Sequence, residues 1–150
     1  MTLPRLGTLE SLPALDRLAQ NVYLCAPAPA QRAALAAFTG ETYAICDARR
    51  DEFRARRDYL VPALRELGFG IPHTPDGAFY IYADCSRLTR DSESFVLALL
   101  EDAGVAITPG IDFGEHRAHE HVRFAYTRPI DRLRESVRRI QDFLQRSQRA

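Results

Sequence analysis

Three stretches decide how this chain folds: GAFYIYAD (Gly77–Asp84), VAITPGIDFG (Val105–Gly114) and HVRFAY (His121–Tyr126). Their β-branched and aromatic content predicts strands over Ala78–Ala83, Val105–Thr108 and Val122–Tyr126. In the first strand, a period of two places Phe79, Ile81 and Ala83 on one face and Tyr80 and Tyr82 on the other. Phe79 and Ile81 are read as core. TPDG (Thr74–Gly77) is a turn sequence, and Gly70–His73 reads as a short strand before it. Pro109–Gly114 reads as a loop whose proline and two glycines set a rigid backbone path, anchored by Phe113.

Helical patterns surround these strands. Asp91 is placed to cap a helix over Ser92–Ala103, with Phe95, Val96, Leu99 and Leu100 turned inward and Gly104 as the stop. Thr127 or Arg128 opens a last helix, Pro129–Gln145, with Ile130, Leu133, Val137, Ile140 and Leu144 along one side. The run strand–helix–strand–strand–helix predicts an α+β two-layer fold: a small mixed or antiparallel sheet with helices on one face. Upstream, Leu12, Leu15, Leu18, Val22 and Cys25 recur near helical spacing within Leu9–Ala26. APAP (Ala26–Pro29) breaks that pattern, and an alanine-rich helix, Ala30–Phe38, follows. A long polar helix is expected from Thr42 to Leu67, with Gly68 just past its end. Pro62 lies inside it, where proline removes a hydrogen bond and collides with the preceding turn, so a kink or break is expected around Tyr59–Pro62. The charge-dense DEFRARRD within this helix reads as a solvated face. Three parts are expected: a helical segment over 1–40, a connecting helix over 41–68 and a small domain over 69–150.

The 150 residues carry a formal net charge of zero, with 46% hydrophobic and 27% charged residues. A chain of this size can bury roughly 70% of the surface it exposes when unfolded. Charge balance gives no field favouring nucleic acid or an anionic membrane. No apolar run approaches the ~20 residues that span a bilayer, and the first residues hold no apolar signal core. Three widely spaced cysteines, Cys25, Cys46 and Cys85, with no CxxC pair, suit free, mostly buried thiols in a reducing cytoplasm. All 20 of the Lys+Arg residues are arginine.

Two groups of residues are candidates for chemistry. Arg123 sits mid-strand between Val122 and Phe124. An arginine pointing away from the core needs a planar partner, either a substrate carboxylate held by both prongs or a local acid such as Asp84 or Asp112. Tyr80, on the polar face of its strand, faces a pocket or solvent. His116, His119 and His121, interleaved with Glu115 and Glu120, have the residue types of a zinc site, although nothing elsewhere completes a four-ligand set. No nucleophile elbow or local Cys-His signature is present.

The order and spacing of the three opening stretches resemble the C-terminal small domain of class I/II aminotransferases, fold-type-I enzymes that use pyridoxal phosphate (PLP). GAFYIYAD is similar to the family's P-x-G-A-F-Y strand, and ITPGIDFG to its PG..FG loop. The arginine of the strand before the last helix, here Arg123, grips the substrate α-carboxylate in that family. Ala14–Leu35 looks like the stretch that follows the cofactor lysine and lies near the dimer interface, with Asn21 and Tyr23 as candidates to face the neighbouring site. Arg5-Leu6-Gly7 resembles the segment whose arginine binds the PLP phosphate.

The resemblance implies amino-group transfer from an amino acid to a 2-oxo acid, with PLP as cofactor and a homo-oligomer as the working form. Arg123 and Tyr80 would contact substrate and Arg5 the cofactor. It also implies a lysine that forms the Schiff base, and these residues contain none. On this match the lysine would stand about eight residues upstream of the Arg5-Leu6-Gly7 segment, before Met1. The expectation is therefore a truncated or separately encoded portion of an aminotransferase, inactive alone and without PLP of its own. The alternatives are a non-catalytic, self-associating binding module that uses the small residues of Ala26–Ala37, or a metal-binding protein built on the histidine cluster.

Overall fold

The computed structural model describes residues 11–22 and 24–147. Arg5 and Tyr23 lie outside the described residues. The chain divides into two compact units, one ending at Arg49 and the other beginning at Arg50.

The first unit is helical. α1 (Leu12–Val22) and α2 (Ala28–Ala37) are separated by the proline-containing break, and Pro29 stands in the first turn of α2, where its missing N–H costs nothing. Neither helix buries a residue. α3 (Gly40–Glu66) begins where Thr39 Oγ1 accepts the Thr42 N–H (3.2 Å) and runs on as one helix into the second unit.

The expected break at Tyr59–Pro62 does not occur, because α3 continues through Pro62. Pro62 is on the exposed side of the helix, as is Asp58, whose carbonyl loses its partner and can turn to water. Leu60, Val61 and Leu64 are buried around it, and each buried aliphatic side chain contributes roughly 1.5–3 kcal/mol, enough together to offset the ~3 kcal/mol cost of an interior proline. Gly68 follows with φ +96°, its N–H on the Arg65 carbonyl (3.0 Å).

The second unit is the two-layer α+β fold. β1 (Tyr80–Asp84), β2 (Thr108–Pro109) and β3 (His121–Ala125) form an antiparallel sheet in the order β1-β3-β2. Register pairs Tyr80 with Ala125, Tyr82 with Arg123, and Thr108 with Arg123 from the other side. α4 (Ser92–Ala103) crosses between β1 and β2, and α5 (Ile130–Ser147) follows β3. Asp91 caps α4 by accepting the Ser94 N–H (3.1 Å), and Gly104 ends it in the left-handed conformation.

The core joins Leu60, Val61 and Leu64 of α3 to Ile81 and Ala83, Val122 and Phe124, Phe95 and Leu99, and Leu133, Ile140 and Phe143. Tyr126, 1% exposed, lies just past β3, and its hydroxyl donates to the Ala78 carbonyl (3.1 Å).

Several details correct the reading from sequence. Phe79 is 49% exposed rather than core. The strand begins two residues later, at Tyr80, and Ala78 takes φ +63°, so the period-two face does not extend back to Phe79. Leu100 is exposed, and Phe143 rather than Leu144 reaches the centre of the core. Gly70–His73 contributes a single bridge, Gly70 to Asp84, and β2 keeps only two residues. Gly110–Phe113 is a 3₁₀ turn rather than an open loop. Arg56, inside the supposed solvated run, is 8% exposed and donates from Nη1 to the Thr127 carbonyl (2.7 Å) and from Nη2 to Glu52.

Candidate functional site

The sheet has one covered face and one open face. Alternation puts Ile81, Ala83, Val122 and Phe124 under the helices, which sends Tyr80, Tyr82, His121 and Arg123 to the other side. The 3₁₀ turn Gly110–Phe113 rises beside that open face and brings Phe113 over it. Its approach depends on Gly110. A Cβ there would sit 2.3 Å from the Ala118 carbonyl oxygen, 2.8 Å from that of His121 and 2.9 Å from the Tyr82 hydroxyl.

The result is a cleft of about 460 Å³ lined by Tyr80, Tyr82, Phe113, Gly114, His116, His121 and Arg123. The Arg123 guanidinium lies over the Phe113 ring (4.6 Å to its centroid) and near the Tyr80 ring (5.6 Å). Nη2 donates to Thr108 Oγ1 at 3.3 Å, while Nε is buried without a hydrogen-bond partner. Among the described residues Arg123 has no acid within salt-bridge distance.

Asp84, one of the two local acids offered as a partner, is occupied elsewhere. Asp84 accepts the Ser86 N–H (2.8 Å) and pairs with Arg117 (3.3 Å). Partial burial pushes its carboxyl up, but the Ser86 hydroxyl and N–H, with His121 and Arg117 nearby, outweigh that and lower it. Tyr82 stacks flat on His121, with centroids 4.9 Å apart, and burial raises its phenol, so it remains a neutral hydrogen-bonding group. The sequence placed Arg123 and Tyr80 at a site, and the structure brings them together. The sequence named Tyr82, Phe113 and His121 for other reasons and did not place them around Arg123. Tyr82 is the cross-strand neighbour of Arg123 and His121 is two residues before it, a signal readable only once the register is known.

The histidine cluster disperses. His116 and His121 line the cleft, whereas His119 shares a hydrogen bond with Asp91 (3.1 Å) and His121 Nδ1 donates to the Arg117 carbonyl (3.0 Å). Among the described residues no three His, Cys, Asp or Glu side chains come together as a metal site. The cysteines are not mostly buried as expected: Cys25 and Cys46 lie exposed in the helical first unit, and Cys85 is buried, where desolvation, reinforced by Asp84, pushes its thiol up to about 11 and leaves it without nucleophilic thiolate.

An arginine on a strand before the last helix, beside a PG..FG turn and a GAFY strand, is the arrangement the sequence pattern anticipated. The family model for aminotransferase class I and II matches residues 6–140. This chain belongs to the class I and II aminotransferases. It is 41% identical over 131 residues to the valine–pyruvate aminotransferase of Mycobacterium tuberculosis, an overlap of 87% of this chain and 34% of that protein. It is 32% identical over 135 residues to the (5-formylfuran-3-yl)methyl phosphate transaminase of Methanocaldococcus jannaschii, covering 90% of this chain and 35% of that one. The crystal structure of an aminotransferase from Mycobacterium tuberculosis superposes with a TM-score of 0.77 at 41% identity, over 89% of this chain and 34% of that structure. The chain thus spans about a third of the length of the curated relatives it matches.

The family implies PLP, and the residues present do not fit it. The covalent hold on that cofactor needs a lysine amine. The cleft offers arginine, imidazole and phenol side chains, and the 150 residues contain no lysine. No helix among the described residues is long and apolar enough to cross a membrane.

Proposed function

We propose that this chain supplies the carboxylate-binding part of an aminotransferase active site, with Arg123 holding the α-carboxylate of an amino acid or 2-oxo acid and Tyr80 bordering it. One observation carries this reading: a guanidinium held on two ring faces in a cleft, with a buried Nε and no acid partner among the described residues. Leaving a buried N–H unpaired costs roughly 1–3 kcal/mol, and a planar anion on the guanidinium edge would relieve that cost. The amine that holds PLP, and with it the amino-group transfer, would come from polypeptide other than these residues. Arg5 remains a candidate for the cofactor phosphate. The cytoplasm is the compartment that suits the unpaired cysteines.

The test is direct. Titrating pyruvate into the protein while following the Arg123 Nε–Hε resonance should give a saturable shift in the millimolar range, about 4 kcal/mol of binding. Followed in both proteins through the backbone amide of Gly114, which also lines the cleft, Arg123→Gln should abolish saturation, and an isotherm unchanged from the parent's would overturn the assignment. The 150 residues alone should show no transamination when mixed with PLP, an amino acid and a 2-oxo acid.

A second reading concerns assembly. Leu12, Leu15, Leu18 and Val22 of α1 and Leu35 of α2 are all exposed, a larger set of neighbouring apolar side chains than isolated surface residues account for. They favour self-association as a homo-oligomer. Light scattering at micromolar concentration should report a dimer or larger species, and a monomer would remove this reading.

A further inference from the structure

The walls around Arg123 carry information about what accompanies the carboxylate. Among the described residues Arg123 is the single arginine lining the cleft, and three of the remaining side chains are the rings of Tyr80, Tyr82 and Phe113. Their faces are committed by geometry. Tyr82 meets Phe113 edge-on (6.0 Å, 85°) and lies flat against His121 (4.9 Å, 7°), while Tyr80 meets Phe79 edge-on (5.7 Å). An aromatic face carries the negative part of the ring quadrupole. A ligand whose first carboxylate sits on Arg123 would have to set a second carboxylate against these rings, losing hydration with no second guanidinium among the described lining residues to offset it. A hydrocarbon or aromatic body meets the same walls favourably, and the cleft's ~460 Å³ lies within the ordinary range for small-molecule sites. Of the other polar groups, His121 already donates Nδ1 to the Arg117 carbonyl, which leaves the His116 imidazole and the Tyr80 and Tyr82 hydroxyls.

We propose that the Arg123 cleft selects monocarboxylates bearing an apolar or aromatic body over dicarboxylates. This deepens, and rests on, the reading of Arg123 as the carboxylate-binding group.

The experiment compares pyruvate, phenylpyruvate and 2-oxoglutarate in the same resonance titration at pH 8.5, where imidazoles in general add no charge. Phenylpyruvate should bind roughly tenfold tighter than pyruvate, consistent with partial burial of its extra carbons, and 2-oxoglutarate no tighter than pyruvate. Tyr80→Ser, at a half-exposed strand position that leaves the core untouched, should shrink the phenylpyruvate preference to threefold or less. If 2-oxoglutarate binds as tightly as phenylpyruvate, or if Tyr80→Ser leaves the preference intact, the selectivity is overturned while the carboxylate role stands. If none of the three ligands moves the Arg123 resonance, the carboxylate role fails and the selectivity fails with it.

Discussion

The two faces of the β1-β3-β2 sheet are made by the same ten or so residues and do opposite work. Beneath it, Ile81, Ala83 and Val122 are fully buried and Phe124 nearly so, packed on Phe69 and the helices. Above it, Tyr80 and Tyr82 are each 40% exposed, and Arg123 keeps a buried, unpartnered Nε. The covered face supplies the free energy that lets the open face hold a cation in an unfavourable setting. Stability and the proposed ligand recognition are thereby separated by a single-residue step along each strand.

That separation can be broken from either side. The largest effect should come from Phe124→Ala, which empties a site in contact with Phe69. We expect a loss of roughly 3–5 kcal/mol in denaturant unfolding, with the cleft lost only because the sheet is. Gly110→Ala comes next. Its methyl would collide with backbone oxygens of Ala118 and His121, costing roughly 1–3 kcal/mol. Because the collision is at the turn carrying Phe113, it should weaken carboxylate binding even at temperatures where the protein stays folded, which calorimetry and titration on one sample would reveal.

Asp91→Ala removes the α4 cap and should destabilise by less than Gly110→Ala. Its pH signature is specific. The Ser94 hydroxyl, then the Ser94 N–H and His119, hold the Asp91 carboxyl down to about 2 from its ordinary 3.8. A carboxylate lowered on folding stabilises fully above its unfolded value and progressively less as pH falls from about 4 towards 2. Asp91→Asn should lose that stabilisation at neutral pH, flatten the curve between about pH 4 and 2, and converge on the parent at the acid end. The smallest stability change belongs to Arg123→Gln, within about 1 kcal/mol, because removing an unpaired buried N–H offsets the lost ring contacts. Ligand binding should nonetheless disappear, and a large destabilisation instead would show that the two faces are not separable.

Arg123 and Tyr80 were legible because strand alternation and motif spacing are local properties. Phe79 was misplaced because the left-handed Ala78 sits between it and the turn, and that conformation is imposed by packing, including the Tyr126 hydroxyl on the Ala78 carbonyl. Arg56 was hidden inside a charged run, since its partners, the Tyr126 and Thr127 carbonyls, lie some seventy residues away. Pro62 was overweighted because local propensity counts the lost hydrogen bond but not the burial of its neighbours.

Residue order alone determined the helix stops at Gly68 and Gly104, the cap at Asp91, the two-layer class and the absence of a lysine amine, for each depends on side chains within a few positions or on composition. Only the tertiary structure decided that Tyr82, Phe113 and His121 surround Arg123 and that Asp84 pairs instead with Arg117. Those outcomes depend on strand register and on how closely the Gly110 turn approaches β3, and contacts between residues distant in sequence are set by packing of the whole core rather than by any local pattern.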